Sequence, residues 1–178
     1  MDVPTFVDLQ GYILNKHFIV KEAAILRRGF IVSHYIFACP LPWRVLTLSE
    51  RRQASWLVRN HHGLQWESGN VPYSMAQRLI STAIAGMLQE EEESSSIVYV
   101  KGLEKREWLT DILDDAINGF IIETLDADYE NIPALNKLDP TYSLRCGKHV
   151  KNCALQNVFK LFNWWSYHRN DSPHPFLE

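Results

Sequence analysis

The sequence predicts an α/β fold in which a mixed sheet is flanked by helices. Three observations carry this. Two apolar, β-prone runs flank a tight Arg-Arg-Gly turn, which is a hairpin signal. Further on, short apolar runs alternate with stretches of helical spacing, as strand–helix–strand crossovers do. Across 178 residues no internal repeat and no second apolar core appears. That length suits one domain able to bury a real core. We read residues 1–167 as that domain, with an acidic, Ser-rich loop at 89–96 and a flexible tail at 168–178.

The elements follow in order. Thr5-Phe6-Val7 is a short β-prone run, with Gly11 soon after. Phe18 to Leu26 and Gly29 to Phe37 are two strands around Arg27-Arg28-Gly29. Cys39-Pro40-Leu41-Pro42-Trp43 cannot be a central strand, because proline lacks the N–H a ladder needs. Ser49 caps a helix carrying Ala54, Trp56, Leu57 and Val58. A second helix runs from about Ser74 to Leu88, with Met75, Leu79, Ile80 and Ala83 on a shared face. Ile97 to Val100 reads as a buried strand; Gly102 breaks it and Glu104 to Leu113 is helical. Phe120 to Ile122 is another strand. Asn152 to Trp165 is a helix whose stripe is Ala154, Leu155, Val158, Phe159, Leu161 and Phe162.

Composition narrows the function classes. With 46% apolar and 22% charged residues, wholesale disorder is excluded. No apolar run approaches ~18 residues, so no membrane-spanning helix is expected, and the acidic start MDVPTF does not resemble a secretory signal. Three cysteines cannot form a complete disulfide framework, so an intracellular protein, nuclear or cytoplasmic, with thiol or metal chemistry is expected. A net charge of −3 argues against a broad electropositive face while leaving room for a local groove.

Four blocks suggest a family. Phe6-Val7-Asp8-Leu9-Gln10 resembles a strand ending in Asp-x-Glu. Trp56 to Gly69 resembles a helix end with a Gly-containing turn. Ile97 to Leu109 resembles a strand, a His-Asn pair and an Asp on the next helix, and Asn152 to Asn157 resembles His-x-Ala-x-x-Asp. Together, over roughly residues 4 to 165, they resemble the DnaQ-like 3′–5′ exonucleases of the ribonuclease H-like fold. The resemblance implies two-metal phosphodiester cleavage, which needs several carboxylates around two Mg²⁺ ions. Only Asp8 remains: the partner Glu is Gln10, the second-motif Asp falls on Lys105, and the His and Asp of the third motif fall on Asn152 and Asn157. Glu104 is available by a one-residue shift, but no small shift restores the base. The standard exonuclease mechanism is therefore rejected, and Asp8 is a remnant.

The strongest chemical signal is Cys146-Gly147-Lys148-His149-Val150-Lys151-Asn152-Cys153, a C-x₂-H-x₃-C array. A turn can aim Cys146 and His149 at one ion, and Cys153 at a helix start can close the site. Two thiolates and an imidazole suit tetrahedral Zn²⁺, the helix N-terminus favours a thiolate, and Lys148 and Lys151 offset its charge. This array, with the lost carboxylates, resembles the Maelstrom domain, which carries a Glu-Cys-His-Cys zinc set. The resemblance implies Glu22 as the fourth ligand, a residue costly to bury unless paired or metal-bound. Cys39, His34, His61 and His62 compete for that place. Such a zinc would be structural.

Other candidates have plainer readings. His61-His62 before Gly63 reads as a helix cap packed under Trp66, and Trp164-Trp165 as core. Asp126, Asp128 and Glu130 lack a complete cation-loop pattern. Lys101, Lys105, Arg106, Lys148 and Lys151, with Arg145 and Lys160, flank the former cleft and are candidates to grip phosphates. The expectation is a zinc-stabilised, catalytically degenerate domain that binds single-stranded RNA or DNA, RNA foremost. Its rivals are a nuclease not using two Mg²⁺ ions and a protein-interaction module.

Overall fold

β1 spans Thr5–Leu14, β2 His17–Arg27 and β3 Ile31–Ile36 in the computed structural model, which describes residues 2–86, 96–116 and 118–171. Asn15 and Lys16 join β1 to β2 with φ of 51° and 69°, both in the left-handed region that a type I′ two-residue hairpin requires. β1 is longer than expected because it runs through Gly11. Its ladder with β2 shifts register between Gln10 and Gly11, and a Cβ on Gly11 would lie 2.1 Å from the Ile19 carbonyl oxygen. Glycine here permits a close approach at a bulge, beyond the short Thr5-Phe6-Val7 run that the sequence predicts.

After β3 the chain forms α1, Leu48–Leu57, capped by Thr47 rather than Ser49. The Thr47 hydroxyl accepts the Glu50 N–H at 3.1 Å and the Glu50 carboxylate accepts the Thr47 N–H at 2.8 Å, a capping box. A π-helical turn, Val58–His62, follows and ends at Gly63. Then come α2 (Ala76–Ala85), β4 (Ile97–Val100), α3 (Leu103–Leu113), β5 (Ile121–Thr124), α4 (Leu125–Asp128) and α5 (Ala154–His168). A 3₁₀ turn, Arg169–Asp171, extends α5 beyond residue 168, where the sequence suggested a tail. The acidic run Glu90 to Glu93 and residues 172–178 lie outside the described residues.

The five strands are ordered β3-β2-β1-β4-β5. β1, β2 and β3 pair antiparallel, while β1–β4 and β4–β5 are parallel. The sheet is therefore mixed and covered by helices, as the sequence predicts. Period-2 alternation divides the strands between two cores. Val7, Leu9, Ala23 and Ile25 meet Ile80, Ile84, Leu109 and Leu113 of α2 and α3. Phe6, Ala24 and Leu26 meet Val158, Leu161 and Trp165 of α5. On that second face the polar residues Asp8, Gln10 and Glu22 are also buried. A third cluster, with Tyr12, Leu14, Ala54 and Trp66, packs α1 against the far end of β1. Among the described residues no helix is long and apolar enough to cross a membrane.

Candidate metal centre

The four positions expected as ligands come from three places in the chain. Glu22 lies on β2, Cys146 and His149 on the loop before α5, and Cys153 is the residue preceding the first turn of α5. Their donor atoms all lie within 4.8 Å of one another, so the group could hold a metal ion. A tetrahedral site with bonds of roughly 2.0–2.3 Å would set its donors roughly 3.3–3.8 Å apart. His149 Nε2 is 2.9 Å and Cys153 Sγ 4.0 Å from Glu22 Oε2, on either side of that range.

Local structure aims these groups. Gly147 takes φ +79°, and in the resulting turn the Lys148 N–H points to Cys146 Sγ at 3.4 Å. The Cys146 N–H donates in turn to Cys153 Sγ at 3.3 Å. His149 Nδ1 lies 2.7 Å from the His62 carbonyl and 2.9 Å from that of Lys151. Carbonyls only accept, so Nδ1 carries a proton, and Nε2 faces Glu22 and the thiols with its lone pair or a second proton. The Ala154 N–H at the start of α5 donates to Glu22 Oε1 at 2.8 Å, adding helix-terminal charge to the carboxylate's support.

The electrostatics follow from crowding. Burial alone would raise the Glu22 carboxyl, but hydrogen bonds from His149 and His34, the His149 charge and the Ala154 N–H hold it down to about 2. Burial disfavours a charged His149, yet Cys153 and Glu22 outweigh it and push the imidazole up to about 10. Burial pushes the Cys146 thiol up to about 11, against the opposing Lys148 N–H. Cys153 moves the other way: burial is outweighed by the His149, Gln156 and Cys146 donors, so its thiol is lowered. Either a proton or a cation must sit between His149 and Glu22, and two sulfurs, one nitrogen and one oxygen suit a borderline-soft ion.

Of the competing ligands only His34 reaches this centre, with Nε2 2.7 Å from Glu22 Oε2. It is a partner the sequence offered only as one alternative among four. Cys39 instead lies 3.6 Å from Lys21 Nζ. Lys21 is wholly buried, pointing to the opposite face from Glu22, and is held by the carbonyls of Trp66, at 2.9 Å, and Ser68. His62 is structural: it is buried, with Nε2 3.0 Å from the Gly11 carbonyl and Nδ1 accepting the Leu64 N–H at 3.0 Å. Its imidazole is pushed down to about 4, chiefly by burial. His61 is exposed, and its carbonyl accepts from Asn152 at 2.5 Å.

A second polar cluster lies beside the first. Lys105 Nζ is 2.5 Å from Asp8 Oδ1, Asn157 donates to Asp8 Oδ2 at 2.8 Å, and Gln10 donates to the same oxygen at 3.4 Å. Asp8 is wholly buried. All its near partners are a cation or amide donors, so the cluster is internally neutralised.

The remaining candidates are placed as follows. Lys101 pairs with Asp126, and Arg106 lies 3.8 Å from Glu123 while donating to the Ile122 carbonyl. Lys148 and Lys151 are exposed, and among the described residues neither ammonium has a carboxylate partner. Lys160 donates to the Leu135 carbonyl at 3.3 Å. Asp126 also accepts the Gly102 N–H, and Asp128 accepts the Tyr99 hydroxyl, so neither is a free cation ligand. Trp165 is core, its indole N–H donating to the Tyr129 hydroxyl, while Trp164 stacks on His168. Compared with protein-family models, curated proteins and solved structures, the chain matches none.

Proposed function

We propose that this chain is a ribonuclease H-like domain of the DnaQ-like kind, resembling the Maelstrom domain, that has exchanged a metal-dependent cutting centre for an internal ion pair. It binds single-stranded nucleic acid, RNA foremost, without two-metal cleavage. The observation that carries this reading is the Asp8 cluster. The positions that the family resemblance assigns to three separate blocks supply Asp8, Gln10, Lys105 and Asn157, and these four side chains meet on one sheet face. Where such an enzyme needs carboxylates around Mg²⁺, a lysine ammonium stands against the single acid. The sheet adds support: an antiparallel meander followed by two parallel crossovers, with Asp8 on its central strand.

The neighbouring Glu22-Cys146-His149-Cys153 group takes zinc in a structural role on this reading. Four protein donors close a tetrahedral ion and leave no position for water or substrate. The zinc would tie the loop before α5, the start of α5 and β2 to one another. Lys148 and Lys151, which have no carboxylate partner among the described residues, remain available to phosphates.

Metal analysis, strand binding and cleavage assays on the purified protein test the reading. We expect one zinc per chain, lost in Cys146→Ser. We expect binding of a single-stranded oligoribonucleotide that weakens as salt rises, and no degradation that depends on added Mg²⁺ or Mn²⁺. No affinity at low salt, or divalent-dependent cleavage abolished by Asp8→Asn, would overturn it. Cleavage that persists in chelator would favour a nuclease of another mechanism.

A further inference from the structure

The cleft beside α1 carries two guanidinium groups that the folded core does not use, beside the half-buried ring of Trp43. It encloses about 710 Å³, and its lining includes Trp43, Arg51, Arg52, Arg59, Trp66 and Glu67. Arg52 and Arg59 are exposed, and among the described residues neither guanidinium has a hydrogen-bond or ion-pair partner. Arg51 has a different task. It donates to the carbonyls of Trp43 at 3.3 Å and Arg44 at 2.9 Å, which fixes the 3₁₀ turn bearing Trp43 against the helix. The Trp66 ring behind it is buried and tied by its indole N–H to the Leu41 carbonyl at 2.9 Å. The two rings lie 6.0 Å apart, so the aromatic part of the cleft is preorganised.

Three arginines stand against the one carboxylate of Glu67 in the lining. Trp56, four residues after Arg52 and three before Arg59, shares their side of the helix and is 57% exposed. An unpaired guanidinium matches a phosphate in fork geometry, and an indole face accepts any base by stacking. An acidic peptide would use the arginines and leave the aromatic surface unoccupied.

We infer that this cleft holds single-stranded nucleic acid, with phosphates on Arg52 and Arg59 and a base against Trp43. The inference rests on the nucleic-acid reading above and moves its contacts away from Lys101, Lys105 and Arg106, whose charges are paired within the fold.

The test is fluorescence anisotropy of a labelled oligouridylate with the full chain over a salt series. The variants are Arg52→Glu/Arg59→Glu, Lys148→Glu/Lys151→Glu and Trp43→Leu, each with a melting curve. The arginine pair should lose at least about tenfold in affinity at low salt. Its dependence of log K on log salt should flatten by about 1.4, two phosphate contacts at ~0.7 each. Both changes should exceed those of the lysine pair, with melting unchanged. The strand should also quench tryptophan emission, less so in Trp43→Leu. If the wild type does not bind at low salt, this inference and the reading beneath it both fall. If it binds and the arginine pair keeps its affinity and salt slope, only the cleft assignment falls. Displacement of the strand by polyglutamate at equal charge, with no quenching, would make the cleft an acidic-peptide site and overturn the assignment.

Discussion

Gln10 faces Glu22 across the β1–β2 ladder, which sets two buried carboxylates, Asp8 and Glu22, on one sheet face beneath α5. The helix repeats the relationship: Cys153 points to Glu22, and Asn157, one turn on, points to Asp8. A buried charge is tolerated only when paired and hydrogen-bonded. The face therefore carries two different answers side by side, a lysine with two amides for one acid and imidazole, thiols and a helix N-terminus for the other.

Removing the lysine tests the first answer. Lys105→Met leaves Asp8 buried without its counter-charge, and breaking such a pair destabilises by about 3–5 kcal/mol. Asp8→Asn in the same chain removes the charge that needed pairing, and the double variant should recover most of the loss. Urea unfolding of the four proteins in the cycle measures this; equal losses in the single and double variants would deny the coupling.

The metal carries a stability prediction of its own. An ion that binds only the folded chain, supplied at about 1,000 times its dissociation constant, adds about 4 kcal/mol. Treatment with a strong chelator should lower the midpoint of thermal unfolding, and re-added zinc should restore it. Cys146→Ser and Cys153→Ser should begin near the chelated value and respond weakly to zinc. Thermal melts with and without chelator provide the measurement.

His34 shares Glu22 Oε2 with His149, so it orients the carboxylate without belonging to the four-donor group. Loss of such a supporting hydrogen bond typically costs about 10–100-fold in metal affinity. His34→Ala should therefore bind one zinc at saturation but release it to a weaker chelator than the wild type does. Competition with a chromophoric chelator reads both numbers, and an unchanged affinity would remove His34 from the centre.

What the sequence made legible divides along physical lines. Periodicity found the strands on either side of Arg28, the helix over Glu104 to Leu113 and the apolar stripe of α5, because those signals are local. The spacing from Cys146 to Cys153 exposed three donors, and Glu22 entered through a resemblance and the cost of burying its charge. The bulge at Gly11 was not legible, since it depends on how closely β2 approaches and cannot be read from β1 alone. Thr47 displaced Ser49 as the cap because the choice depends on which hydroxyl the folded turn presents to Glu50. That Lys105 meets Asp8 is a contact across ninety-seven positions, visible beforehand only through family blocks. The arginine cleft was missed because Arg52 and Arg59 gain significance only from having no hydrogen-bond or ion-pair partner among the described residues, which is a property of the folded surface.

The pH response should change sign with the metal. In chelated protein the His149 imidazole is raised from 6.5 to about 10. Its contribution to stability is fully present below pH 6.5 and is lost as pH rises through 10. Glu22, lowered from 4.5 to about 2, contributes fully above pH 4.5 and loses that contribution as pH falls through 2. Chelated protein should thus be most stable between the two ordinary values and weaken on the alkaline side. Zinc must displace the His149 proton and that of the Cys146 thiol, itself raised to about 11, so its affinity grows as pH rises through neutrality. From pH 6.5 to 9 the gap between zinc-loaded and chelated midpoints should widen steadily. Parallel melts across that range decide the matter: a constant gap would mean that binding displaces no proton from these groups.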